Sequence, residues 1–160
     1  MSNPGTILDA TAVGDLLPQK PPLLLVDRVT RFSPGVHPEV EAGFSISVEH
    51  PVLVGHFPGR PVWPGSYTIE GLAQTCALAG MLGIDRPALA LAERDSQPPV
   101  MVAAVKVKLL QPVVPPALLV YRAIHTHAVG QIHRFNVEAL CSGIPVAAGS
   151  LDVVVFGWSG

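Results

Sequence analysis

Apolar residues run along this chain in two rhythms, and each change of rhythm marks an expected change of element. From Leu23 to Phe32 (LLLVDRVTRF) a short apolar run ends at the Ser-Pro-Gly turn of Ser33 to Gly35, which predicts a first strand. From Val40 to Val48 the pattern alternates. Val40, Ala42, Phe44, Ile46 and Val48 face one way and polar or small residues the other, a second strand. Ahead of both, Ile7 to Leu17 can hold a short helix closed by Pro18. Ser66 to Leu82 is apolar or small almost throughout and predicts the one long helix, with Ser66 as N-cap and Gly83 as its stop. A helix with so few polar residues must be surrounded on most sides.

After a polar loop at Glu93 to Pro99 come four β-patterned runs: Val100 to Leu110, Ala117 to Ala128, Gln131 to Gly143, and Ile144 to Trp158. Pro-Val-Val-Pro-Pro, Val-Gly and Ser-Gly separate them, with turn residues where hairpins need them. One buried helix wrapped by a curved antiparallel sheet of about six strands is the α+β arrangement that hides such a helix. Without repeats, low-complexity tracts or a linker, residues 1–160 are expected to form a single domain.

Composition narrows the picture. The chain is 49% hydrophobic and only 14% charged, too apolar for disorder and sparsely charged enough to suggest self-association. A formal net charge of −2 with no Lys/Arg run leaves no footprint for nucleic acid. No apolar segment reaches the ~20 residues of a membrane helix, and the N-terminus lacks a signal-peptide pattern. Cys76 and Cys141 are too few for a disulfide framework and read as reduced thiols of a cytoplasmic protein.

Between the second strand and the helix lies GHFPGRPVWPG, Gly55 to Gly65, then IEGLAQ with a lone carboxylate at Glu70. With LLLVDRV before it and VKVKLLQPVVP after it, this string resembles the Z-type bacterial β-hydroxyacyl-[acyl-carrier-protein] dehydratases of fatty-acid synthesis, over roughly Leu16 to Val155. The resemblance implies a hot-dog fold and dehydration of a (3R)-hydroxyacyl thioester to the trans-2-enoyl thioester on acyl-carrier protein, with no cofactor. It also implies that His56 of one subunit works with Glu70 of its partner, in a dimer or a trimer of dimers, while the Gly65 N–H polarises the thioester carbonyl. Glu rather than Asp at position 70 matches enzymes that dehydrate without moving the double bond.

The chemistry agrees. Removing a proton from the α-carbon and hydroxide from the β-carbon needs a base, an acid and a donor where negative charge grows. An imidazole near neutrality suits the base, a carboxyl kept neutral by burial suits the acid, and a helix N-terminus offers unpartnered N–H groups. The prolines fix φ around the histidine and the glycines permit close backbone approach.

Departures from the family pattern mark this chain. Trp63, with Tyr67 and Phe57 as further acyl-tunnel candidates, replaces a smaller tunnel residue. Ser66, Tyr67 and Thr68 stand where aliphatic residues are usual, Leu110-Gln111 where basic residues are, Pro116 for a glycine, and Gln19-Lys20-Pro21 for a His-Tyr pair. Carrier-protein docking then falls to Arg60, Lys106, Lys108 and Arg122 as candidates. Together the departures suggest a specialised copy, for polyketide or other secondary-metabolite acyl chains.

His125, His127 and His133 are read as an exposed hairpin face, His125 and His127 sharing one side of a strand, and no metal is expected there. His37 and His50 stand beside prolines in turns, and Arg94 and Asp95 in a solvated loop. Two other readings stay open: a hot-dog acyl thioesterase, and a weakly catalytic acyl-binding partner in a hetero-oligomer.

Overall fold

The computed structural model describes residues 5–83 and 100–155. In order they form α1 (Ala10–Leu16), β1 (Arg28–Ser33), β2 (Glu39–Ile46), a 3-10 turn (Pro51–Val54), α2 (Gly65–Gly83), β3 (Val100–Leu109), β4 (Ala117–Val129), β5 (Ile132–Cys141) and β6 (Ile144–Val155). The six strands make one antiparallel sheet in the order β1-β2-β4-β5-β6-β3. The sheet wraps α2, so the expected α+β hot-dog architecture is the one observed. None of the described helices is long and apolar enough to cross a membrane.

Alternation on β4 and β5 turns Leu119, Tyr121, Ala123, Phe135, Val137 and Ala139 onto the inner face, where they meet Leu72, Cys76, Leu78 and Ala79 of α2. Burying one such leucine fully contributes about 1.5–3 kcal/mol. Gly71 shows how close the layers come: a Cβ there would sit 2.3 Å from the Tyr121 hydroxyl.

Several expected boundaries move. The first strand starts at Arg28, not Leu23, because Gln74 of α2 takes over the backbone upstream. Its Oε1 accepts the Leu25 N–H at 2.8 Å and its Nε2 donates to the Leu23 carbonyl at 2.7 Å. Ser66 is not the N-cap; α2 already begins at Gly65, and Pro64 supplies the carbonyl that receives the Tyr67 and Thr68 N–H groups. α1 begins after Asp9, whose carboxylate accepts the Ala12 N–H at 3.0 Å. Val48 lies past the end of β2 and is exposed.

On β4 a register shift between His125 and His127 breaks the shared face. His125 turns inward and is buried beside His133, while His127 stays outside, so these are not one exposed histidine face. The polar loop at Glu93 to Pro99, with Arg94 and Asp95, lies outside the described residues, as does Trp158.

Candidate active site

Residues 55–65 form a tight loop whose backbone bonds mostly to itself. Phe57 and Arg60 exchange N–H···O bonds at 3.3 and 2.9 Å, and the Val62 N–H reaches the His56 carbonyl at 2.9 Å. The His56 side chain is held the same way, its Nδ1 lying 2.7 Å from the Val62 carbonyl. A carbonyl only accepts, so Nδ1 carries a proton, and in the neutral imidazole the lone pair is on Nε2. The Phe57 ring stacks on the imidazole at 4.1 Å.

Immediately after Val62, the Trp63 N–H donates to the Val113 carbonyl at 2.9 Å, tying the loop to the segment after β3. The chain then enters α2. In its first turn Tyr67 and Thr68 give their N–H groups to Pro64, while those of Gly65 and Ser66 have no carbonyl one turn earlier to meet.

A cavity of about 300 Å³ joins these parts, lined by His56, Trp63, Gly65, Thr68, Leu109 and Gln111 among others. Leu109 folds over Gly65 so closely that a Cβ there would lie 2.2 Å from its Cδ1. Any side chain at position 65 would push Leu109 into the space beside the helix terminus.

Of the three tunnel candidates, Trp63 lines this cavity and is only 3% exposed. Edge-on packing against His50 at 4.9 Å and Tyr67 at 5.4 Å, with Phe44 at 5.8 Å, fixes its ring. Tyr67 stands behind Trp63, and Phe57 is 53% exposed beside the imidazole.

Glu70 points elsewhere. It lines a second cavity with Gln19, Ala73, Ala77 and residues Val100, Met101 and Val102 of β3. Its Oε1 accepts from Gln74 Nε2 at 3.0 Å and from Gln19 Nε2 at 3.4 Å. Five residues of helix turn Glu70 about 140° from Gly65, so one chain's carboxylate and its own His56 cavity lie on different sides of α2.

The four docking candidates do not gather. Arg60 is exposed on the His56 loop, and Lys106 and Lys108 are exposed on β3. Arg122 lies three strands away, about 14 Å across the sheet, and is already engaged. Its Nε meets Glu41 at 3.0 Å, with Glu138 3.5 Å from its Nη1. Burial alone would push the Glu41 carboxyl up; hydrogen bonds from Arg122 and Thr30 outweigh it and hold the group below its ordinary range.

At the far end of β4, burial lowers the pKa of His125, reinforced by His37 and His127. Among the described residues no group of three His, Cys, Asp or Glu side chains is placed to hold a metal ion.

Sequence reasoning missed Gln74 as the partner of Glu70, although a glutamine four residues along a helix from a carboxylate is a legible signal. It also missed the Val62 carbonyl and the Gln19 contact, which no spacing reveals.

Comparison with known proteins bears on this geometry. The family model for the FabA-like domain matches residues 17–150. The 3-hydroxyacyl-[acyl-carrier-protein] dehydratase FabZ of Anaeromyxobacter sp. (strain Fw109-5) is 36% identical over 143 residues, covering 88% of this chain and 85% of the relative. FabZ of Sulfurovum sp. (strain NBC37-1) is 30% identical over 150 residues, covering 93% and 97%.

Among solved structures, the dehydratase heterocomplex ApeI:P from Xenorhabdus doucetiae superposes with a TM-score of 0.69 at 19% identity, over 89% of this chain and 90% of that one. A hypothetical thioesterase with coenzyme A from Streptococcus pneumoniae TIGR4 gives 0.57 at 11%, over 82% and 87%. At such identities the likeness is of fold alone, and it is shared by both kinds of protein.

Proposed function

The chain belongs to the FabA-like family and is a 3-hydroxyacyl-[acyl-carrier-protein] dehydratase; from that premise we propose that His56 is its base, Glu70 of a second copy its acid, and the Gly65 N–H the donor to the thioester carbonyl. The observation that carries this reading is the orientation of His56. Its Nδ1–H is committed to Val62, so Nε2 is the basic nitrogen left for the cavity that also holds Gly65 at the helix terminus.

In the reaction, Nε2 takes the proton from the α-carbon of a (3R)-hydroxyacyl thioester. The electron pair moves toward the thioester oxygen, where the Gly65 N–H and the helix dipole oppose the growing negative charge. The bond from C3 to oxygen then breaks, the departing oxygen takes a proton from the Glu70 carboxyl, and water and the trans-2-enoyl thioester remain. His56 ends protonated and Glu70 ionised, and proton exchange with solvent restores both.

The partner's carboxylate enters the scheme because a chain's own Glu70 faces away from its own His56. β3 offers the route for a second copy. Among the described residues it pairs only with β6, leaving an edge with Met101, Val105 and Leu109 each about half exposed, beside the cavity of Glu70. Pairing two such edges would cover that apolar strand and bring each Glu70 toward the other copy's loop.

The substrate is proposed to arrive on acyl-carrier protein. With Arg122 held by Glu41, docking would draw on Arg60, Lys106 and Lys108, which are nearer the cavity mouth along the chain. Trp63, fixed by three rings, would be an immobile wall for the acyl chain, in keeping with a specialised substrate.

Mass spectrometry of a 3-hydroxyacyl group on intact carrier protein, and of the trans-2-enoyl form in reverse, tests the assignment. Gain or loss of one water is expected, falling by at least ~10² in both His56→Ala and Glu70→Ala. Release of free acid would move the assignment to a thioesterase. Full turnover by either variant would remove that residue from its role.

A further inference from the structure

Resting on the reading of Glu70 as the acid, we propose that Gln19 is a positioning residue that, with Gln74, fixes which oxygen of Glu70 delivers the proton. Both amides converge on one atom. Gln74 Nε2 reaches Oε1 at 3.0 Å and Gln19 Nε2 at 3.4 Å. In the acid form that the reading requires, an oxygen accepting two N–H bonds is the carbonyl oxygen, which leaves Oε2 as the one that carries and delivers the proton.

The two amides differ in how they are held. Gln74 is buried and spends its remaining capacity on Leu23 and Leu25, so it cannot turn. Gln19 sits in a short segment braced on both sides. Pro18 precedes it, Pro21 and Pro22 follow, and the neighbouring Lys20 ammonium bonds to the carbonyls of Gly14 and Leu17 at the end of α1. The segment therefore presents the Gln19 amide to Glu70 without a large ordering cost.

The rest of the cavity supplies nothing comparable. Among its described lining residues, Ala73, Ala77, Val100, Met101 and Val102 are apolar, and Glu70 is the only charged group. As the proton leaves Oε2 the carboxyl becomes a carboxylate, and an N–H bond to a charged acceptor strengthens. A donor whose contact grows during proton transfer acts on the transition state and raises kcat, leaving substrate binding alone. The 3.4 Å separation is long for a resting bond, as catalytic contacts often are before substrate arrives.

The test compares steady-state kinetics of carrier-bound 3-hydroxyacyl substrate for Gln19→Leu, Gln19→His and Glu70→Gln beside the native protein, each checked for an unchanged melting temperature. Gln19→Leu, which removes the donor, is expected to lower kcat about tenfold with KM unchanged. Gln19→His, which keeps an N–H, is expected to recover most of that loss. If Gln19→Leu stays within twofold of native while Glu70→Gln is inactive, the role of Gln19 is overturned and the acid assignment stands. Equal losses in both Gln19 variants, or a loss carried by KM, would also overturn it. Activity surviving in Glu70→Gln would overturn the reading beneath.

Discussion

The imidazole of His50 uses both of its nitrogens. Nε2 lies 3.2 Å from the Pro22 carbonyl and Nδ1 accepts the Val52 N–H at 3.3 Å, so the neutral ring with its proton on Nε2 satisfies both. The second of these bonds caps the 3-10 turn that leads into the His56 loop, and the ring also packs edge-on against Trp63. His50→Ala is expected to cost about 1–2 kcal/mol, read as a lower urea midpoint, from the cap and the lost ring contact. An unchanged midpoint would show that the turn needs no cap. In the sequence His50 was only a histidine before a proline, and nothing in its neighbours announced an aromatic box. His56 was legible because eleven consecutive residues specify its loop; the carbonyl that orients its ring was not, since Val62 acts through its backbone. Glu70 was legible as a lone carboxylate on an apolar helix, whereas Gln19, fifty-one residues away, depends on the path of a proline-rich segment.

Elements were legible where one pattern ruled and were misjudged where another group intervened. β3 to β6 fall within a few residues of their expected bounds, and hairpin turns at Gly130 and Ser142-Gly143 fix the registers of β4 with β5 and of β5 with β6. The first strand was read too early because apolar residues 23–26 look extended, yet their backbone is partly bonded to Gln74. A one-residue register shift on β4 reversed the facing of His127, which alternation alone cannot anticipate. At β3 the proposed pairing of copies has a direct check. Val105→Lys places a charge on a half-exposed apolar edge position. Light scattering is expected to report a smaller species and the assay a matching loss of turnover, with far-UV circular dichroism unchanged. A variant that keeps both native size and native activity would move the interface away from this strand.

At the scale of the whole molecule, acid is expected to act in two stages. The lowered pKa of His125, caused first by burial, means that the folded state resists a proton which the unfolded chain accepts near 6.5. Stability from that source is complete above about pH 6.5 and is lost as pH falls toward the folded value. Asp152, hydrogen-bonded to Arg134, and Glu41 are both held below their ordinary values of 3.8 and 4.5. Their contribution is present above those values and disappears as pH falls through the lower folded ones. A urea midpoint measured against pH is therefore expected to be flat above neutrality, to decline below about 6.5, and to drop again in stronger acid. His125→Gln is expected to shrink the first decline and leave the second; an undiminished first decline would assign it to another group. The sheet's two margins are also unlike. The chain's own early segment closes one, where Ile7 and Leu8 bond to Val29 of β1, and among the described residues β3 is open at the other. Under the proposed pairing each copy has one adhesive side, so growth along the strand-pairing direction terminates at two. On that pairing, a few hydrogen bonds between Ile7, Leu8 and Val29 would keep so apolar a body from assembling into a fibre.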